Sequence, residues 1–280
     1  MPDLEMAMKE SPLLRSLCAT TLEMLIPRRC AACRGFYRKP REAKPQKGST
    51  PEQADDGHLL TAFLCPRCAR DFRAVESPLC TCCGAPFASS EGADHLCGRC
   101  LNQPPAFSCA RSAGYYEGGL RVMIHQLKYK GYVQAAAPLS RLLWRTFKRH
   151  WDPGSIDLLL PVPLHRKRLH GRGFNQAVQL LRRWPALARE EGVALGMDRV
   201  KPKLLVRRRN TPPQTGLDSR QRIDNVKGAF MVESTSEVRK RSILIVDDVF
   251  TTGATVDACA RTLIKAGASR VCVLTLARSV

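Results

Sequence analysis

Cys30 with Cys33, Cys65 with Cys68, Cys80 with Cys83 and Cys97 with Cys100 form four Cys-x2-Cys pairs, all within the first 100 residues of a 280-residue chain. Two residues between thiolates let one tight turn aim both sulfurs at one metal ion, and two such knuckles close a tetrahedral site. Eight thiolates therefore make two structural zinc sites. Pairing neighbours in sequence gives Cys-x2-Cys-x31-Cys-x2-Cys and Cys-x2-Cys-x13-Cys-x2-Cys. Interleaved pairing stays open at this stage, and Cys82 stands where it could replace Cys80 or Cys83. A reduced cysteine-rich loop and an iron–sulfur site are the competing readings; spacing and compartment favour zinc. Cys18, Cys109, Cys259 and Cys272 have no partner at metal spacing and are expected to behave as buried apolar residues.

Ten of the thirteen cysteines lie before residue 101, whereas the β-branched apolar runs lie after residue 155. Composition thus divides the chain into a metal-held module over about 29–104 and an α/β domain over 105–280. Residues 1–28 read as an amphipathic helix, with Leu13, Leu14, Leu17, Leu22, Leu25 and Ile26 at helical spacing. Arg15 and Glu23 interrupt that apolar stretch and no small-residue cleavage site precedes Arg28, which argues against a secretory signal. With no run of the roughly 20 apolar residues a span requires, the expected compartment is the reducing cytoplasm, where paired cysteines suggest metal before disulfide. Residues 38–57 are rich in Lys, Pro, Gln and Asp and read as a disordered insertion in the first ribbon.

The formal charge is +20, and between residues 161 and 227 sixteen Lys and Arg face five Asp and Glu. Anionic partners follow, and charge alone does not separate a phosphate-rich small molecule from a nucleic acid. The runs at 145–149, 199–209 and 239–241 suit a nucleic-acid backbone; an aromatic content of 6 % is thin for base stacking.

From Asp157 onward, short apolar runs alternate with helical segments, the pattern of a mostly parallel sheet flanked by helices. Ligands of such sheets bind beyond the carboxyl ends of the strands. After the apolar run ending at Val246 come Asp247, Asp248, Val249, Phe250, Thr251, Thr252, Gly253, Ala254 and Thr255, then a helix with Val256, Cys259, Leu263 and Ile264 on its apolar side. Gly253 lets backbone N–H groups close on an anion, the Thr hydroxyls add donors, and the helix start adds its dipole. Two adjacent carboxylates just before this loop suit the vicinal hydroxyls of a ribose.

The stretch ILIVDDVFTTGAT over 243–255 resembles the signature with which type I phosphoribosyltransferases hold 5-phosphoribosyl 1-diphosphate (PRPP). Pro161 to His165, Arg172 to Gln176, Thr211, Gln214, Arg222, Asn225 and the four cysteine pairs extend the likeness. Together they resemble the ComF family, a double zinc ribbon followed by a phosphoribosyltransferase-like domain. The insertion at 38–57 and the Trp184-Pro185 break are departures that leave the phosphate loop untouched.

The resemblance implies roles for particular residues. Asp247 and Asp248 would meet the ribose hydroxyls, and Thr251, Thr252, Gly253, Ala254 and Thr255 the 5′-phosphate. The turn carrying Pro163, Leu164 and His165 would approach the diphosphate, with Arg166, Lys167, Arg168 and Arg172 neutralising it. Mg²⁺ would accompany PRPP, bound mainly by water and phosphate oxygens. Singly, each of these cations reads equally as part of a solvated loop; Asn175 and Gln176 read equally as a helix start, and Arg207, Arg208 and Arg209 as surface charge. Three functional readings remain: Mg²⁺-dependent phosphoribosyl transfer to a nitrogen nucleophile with release of diphosphate; PRPP binding without turnover in a protein that handles single-stranded DNA during DNA uptake; and ribbons that dock another protein, such as a competence helicase.

Overall fold

A computed structural model describes residues 28–38, 56–89, 91–129, 131–211 and 218–279. The expected amino-terminal helix, Cys18, Gln214 and most of the expected insertion lie outside them.

The first ribbon comprises β1 (Arg28–Arg29) paired antiparallel with β2 (Phe36–Tyr37), a 3-10 helix (Asp56–Ala62) and α1 (Pro66–Arg70). Asp56 and Gly57 are buried in that 3-10 helix, so the last two residues assigned to the insertion belong to the fold. Asp56 takes ion pairs from Arg145 and Arg149 at 3.2 Å each, and Lys148 pairs with Glu191 at 2.5 Å. The basic run at 145–149 therefore holds the protein together internally and is not a free track for an anionic polymer. The second ribbon ends in α2 (Gly98–Asn102).

Then follow β3 (Cys109–Tyr115), α3 (Gly118–Tyr129), α4 (Ala136–His150), β4 (Leu158–Pro161), α5 (Arg166–Arg172), α6 (Gln176–Leu181) and α7 (Trp184–Glu190). The chain continues through β5 (Leu205–Arg207), α8 (Ser219–Val226), β6 (Phe230–Val232), α9 (Thr235–Val238), β7 (Ser242–Phe250), α10 (Ala254–Lys265) and β8 (Arg270–Arg278). The main sheet runs β3-β8-β7-β4, every neighbouring pair parallel, as the alternating pattern predicts. α6 and α7 are separate helices, because Pro185 lacks the N–H that an uninterrupted helix needs.

Side-chain alternation explains why β7 is apolar at four consecutive positions. Ile243 and Ile245 face one core with Val256, Cys259 and Leu263 of α10, while Leu244 and Val246 face the other with Leu139, Leu142 and Leu143 of α4. Both faces of a parallel sheet are covered, so neither set is solvated. The two ribbons join opposite cores: Cys30, Leu60 and Leu64 of the first pack with α3, and Cys80, Cys83 and Cys100 of the second pack with Phe107 and Phe250. Cys259 and Cys272 are fully buried, as expected of unpaired apolar cysteines, and Cys109 is half-buried opposite Cys272.

Candidate phosphate-binding cleft and metal centres

The eight paired cysteines form two clusters, Cys30, Cys33, Cys65 and Cys68, and Cys80, Cys83, Cys97 and Cys100, with the ligand atoms of each all within 4.8 Å of one another. Neighbouring pairs join, and interleaving is excluded. A Zn–S bond of about 2.3 Å in a tetrahedron sets sulfurs about 3.8 Å apart. Cys33 Sγ to Cys65 Sγ and Cys83 Sγ to Cys97 Sγ are both 3.8 Å. Backbone N–H groups of Cys65 and Cys97 donate to Cys30 Sγ and Cys80 Sγ at 3.3 Å, which stabilises the thiolate form that metal requires. The donor sets fit two structural zinc ions. Cys82 belongs to neither; its thiol points to the Phe107 carbonyl at 3.8 Å.

At the carboxyl ends of β4 and β7 opens a cleft of about 420 Å³. Asp247, Asp248, Thr251, Gly253, Ala254 and Thr255 line it from one side, Pro163, Leu164, Arg168 and Arg172 from the other. Gly253 sits at φ 79°, and a Cβ there would come within 2.7 Å of the Phe250 ring, so the turn demands glycine twice over. Thr252 turns away: its hydroxyl accepts from Ala254 N at 3.4 Å and its carbonyl accepts from Arg99 at 2.6 Å. His165 caps α5 through Nδ1, which accepts from Lys167 N at 3.3 Å, and Arg166 and Lys167 are exposed beyond the cleft.

Asn175 does start α6, accepting from Ala177 N at 2.9 Å, and also donates to the Val162 carbonyl at 3.0 Å, tying the helix to the end of β4. Gln176 is buried in the cleft wall and accepts from Arg172 at 2.6 Å. Of the three consecutive arginines, Arg207 alone turns inward; its guanidinium lies over the Phe230 ring and donates to the Thr211 hydroxyl. Arg208 and Arg209 are exposed.

Sequence reasoning missed Lys128, Tyr116 and Tyr129, which also line the cleft. Lys128 ends an apolar helix, a position that favours any cation, so nothing local marks it. Its Nζ lies 2.6 Å from Asp248 Oδ1. Burial pushes the Asp247 carboxyl up to about 7, with Asp248 adding repulsion, while Lys128 pulls the other way. Burial works against the Lys128 ammonium, but the two carboxylates outweigh it and hold its pKa above the ordinary value.

Seven buried side-chain polar atoms among the described residues lack a hydrogen-bond partner, and three of them belong to the cleft: Asp248 Oδ2, Arg207 Nε and Arg222 Nε. Each such atom costs about 1–3 kcal/mol. Their convergence on one acceptor and two cationic donors is what a ligand carrying both hydroxyl and phosphate groups would satisfy.

Residues 58–101 match the double zinc ribbon domain family, and residues 184–279 match the phosphoribosyl transferase domain family. The DNA utilization protein YhgH of Escherichia coli O157:H7 is 35 % identical over 230 residues, covering 80 % of this chain and 92 % of that protein. Competence protein F of Haemophilus influenzae is 31 % identical over 229 residues, covering 79 % and 93 %. Competence protein ComFC of Bacillus subtilis is 24 % identical over 223 residues, covering 77 % and 84 %.

Proposed function

The chain belongs to the ComF family of double-zinc-ribbon, phosphoribosyltransferase-like proteins, and on that premise we propose that its cleft binds Mg²⁺-PRPP in a protein serving DNA uptake. The observation that carries the reading is the meeting of the 251–255 loop with the unsatisfied Asp248 Oδ2, Arg207 Nε and Arg222 Nε in one cleft. In this reading Asp247 and Asp248 accept from the ribose hydroxyls. Thr251 and Thr255, with the amides from Gly253 to Thr255, hold the 5′-phosphate at the start of α10. The Pro163–Leu164 turn approaches the diphosphate, and Arg168, Arg172 and Arg207 supply positive charge.

Bound with the ligand, Mg²⁺ would supply positive charge to the diphosphate, held by phosphate oxygens and water more than by the Asp247 and Asp248 carboxylates. If transfer occurs, a nitrogen nucleophile displaces diphosphate from the anomeric carbon, and the arginines stabilise the charge gathering on the leaving group. Asp247 and Asp248 would keep the ribose in line for attack.

The names of the relatives support a setting in DNA uptake and use. A second reading, single-stranded DNA handling, is favoured by Tyr129, which is 64 % exposed in the cleft wall with Arg168 and Arg172 beside it. Stacking aromatics among cations suit unpaired bases, and a helicase partner in the same process is compatible with it. No helix among the described residues is long and apolar enough to cross a membrane.

Calorimetric titration of Mg²⁺-PRPP into the zinc-loaded wild type and an Asp247→Asn, Asp248→Asn double variant tests the proposal. Binding that the double variant loses is the expected result, and it would justify screening nucleobases for turnover. A zinc-loaded wild type that takes up no PRPP would overturn the proposal. Single-strand binding that weakens steeply with salt would then favour the second reading.

A further inference from the structure

The second ribbon reaches the phosphate loop directly. Arg99, between ligands Cys97 and Cys100, donates through Nη2 to the Thr252 carbonyl at 2.6 Å. Arg278, the last residue of β8, is buried and donates through Nη1 to the Cys83 carbonyl at 2.7 Å, with Nη2 at 3.8 Å from Cys83 Sγ. The same guanidinium lies 4.5 Å above the Phe250 ring, against which Gly253 is packed. A continuous line of contact thus runs from a metal ligand, through one buried cation and one aromatic ring, to the glycine of the anion loop.

Arg278 has no carboxylate within ion-pair distance among the described residues. A guanidinium carries its charge at any physiological pH and is costly to bury without an anion. Four thiolates on one Zn²⁺ carry two net negative charges, and the second cysteine cluster is the group placed to compensate Arg278. An apolar cavity of about 520 Å³ also separates the ribbon from the start of α10 and is lined by Phe107, Phe250, Thr252 and Gly253. On that side Arg99 and Arg278 bridge from the ribbon to the loop across this space.

We propose that Arg278 and Arg99 are positioning residues through which zinc in the second ribbon sets the shape of the 250–255 loop, and hence its affinity for a phosphomonoester. The inference rests on the PRPP reading for its ligand, but not for its mechanical content. Zinc of the second ribbon, outside the cleft, then acts on the 250–255 loop, whereas the first ribbon packs on the opposite face of the sheet against α3.

The test follows zinc release, amide exchange at residues 250–255 and Mg²⁺-PRPP affinity while the zinc-loaded full chain is challenged with graded chelator. Exchange at residues 79–101 reports when the second ribbon has lost its metal. Loss of that zinc is expected to deprotect 250–255 and weaken PRPP binding about tenfold or more. Arg278→Met is expected to speed zinc release from the second ribbon alone and to deprotect the loop, with Arg278→Lys recovering part of the zinc retention. Should Arg278→Met not fold, the exposed Arg99→Ala carries the same test of the loop. Loop protection and affinity unchanged after the second zinc leaves, or variants that match the wild type, would overturn the proposal. A wild type that never binds PRPP would overturn the PRPP reading alone, since zinc release and loop exchange still report the coupling.

Discussion

Lys128 Nζ lies 2.6 Å from Asp248 Oδ1, and this contact sets one cation from α3 against the adjacent carboxylates at the end of β7. It joins the two halves of the cleft before any ligand arrives. Removing one partner of a buried ion pair costs about 3–5 kcal/mol, because the other is left uncompensated. Lys128→Met should therefore destabilise the fold by about that amount at pH 8. Adding Asp248→Asn should recover part of the loss, and a double-mutant cycle by urea unfolding would measure the coupling. Additive losses would mean that the pair does not act as a unit.

Asp247 makes stability depend on pH in a direction opposite to that of an ordinary salt-bridged carboxylate. Its pKa is about 7 in the folded chain against an ordinary 3.8, so between these values the folded state holds a proton that the unfolded state has lost. Stability contributed by this group therefore falls as pH rises through that window. Asp247→Asn removes the penalty: it should raise Tm by several degrees at pH 8, on the order of 1–3 kcal/mol, and by little near pH 4. The same variant should lose PRPP affinity, so stability and binding move in opposite directions. Thermal melts at the two pH values decide it; a gain that does not depend on pH would point to packing instead.

The strand, turn and helix around 243–265 were legible because strand, acids, glycine and helix follow one another within one local stretch, where spacing is geometry. The zinc ligands were legible for the same reason within each knuckle, but not across knuckles, since the span from Cys33 to Cys65 does not declare what it folds toward. Lys128 and the inward turn of Arg207 were invisible because their partners lie far away in sequence, and a cation at a helix end or in an arginine run looks the same whether it faces solvent or a cleft. Asp56 sat in a polar, proline-rich stretch and read as part of an insertion; only α4, some 90 residues later, supplies the two arginines that explain its burial.

Arg168 and Arg172 differ in how they are held, and this separates their expected effects. Arg168 donates to the Thr211 carbonyl at 2.7 Å, while Arg172 donates to Gln176 at 2.6 Å and lies over the Tyr129 ring. Both line the cleft. Charged hydrogen bonds contribute about 1.5–3 kcal/mol, so replacing either with Gln should weaken Mg²⁺-PRPP binding roughly 10- to 100-fold. Arg172→Gln should also free Tyr129, which chymotryptic cleavage after that residue, located by mass, would register, whereas Arg168→Gln should not. Titrations at two salt concentrations check that the loss is electrostatic: the variants should show a shallower salt dependence than the wild type.

Asp56 and the residues just before it should respond to mutation in opposite ways. Asp56 is 7 % exposed and bound to two arginines of α4, which itself carries part of the core beneath the sheet. Asp56→Ala removes the buried acceptor that two partly exposed arginines share, and should cost about 1–3 kcal/mol and loosen the first ribbon against α4. Residues 40–54 have the composition of a segment that buries little, and lengthening or shortening such a loop changes closure entropy only slowly with its length. Deleting them should shift stability by no more than about 1 kcal/mol, with both zinc ions retained. Urea unfolding with zinc quantification of both variants separates the two cases. A deletion as damaging as Asp56→Ala would mean that the polar stretch packs against the ribbon, and a harmless Asp56→Ala would mean that the two ion pairs do not hold the 3-10 helix.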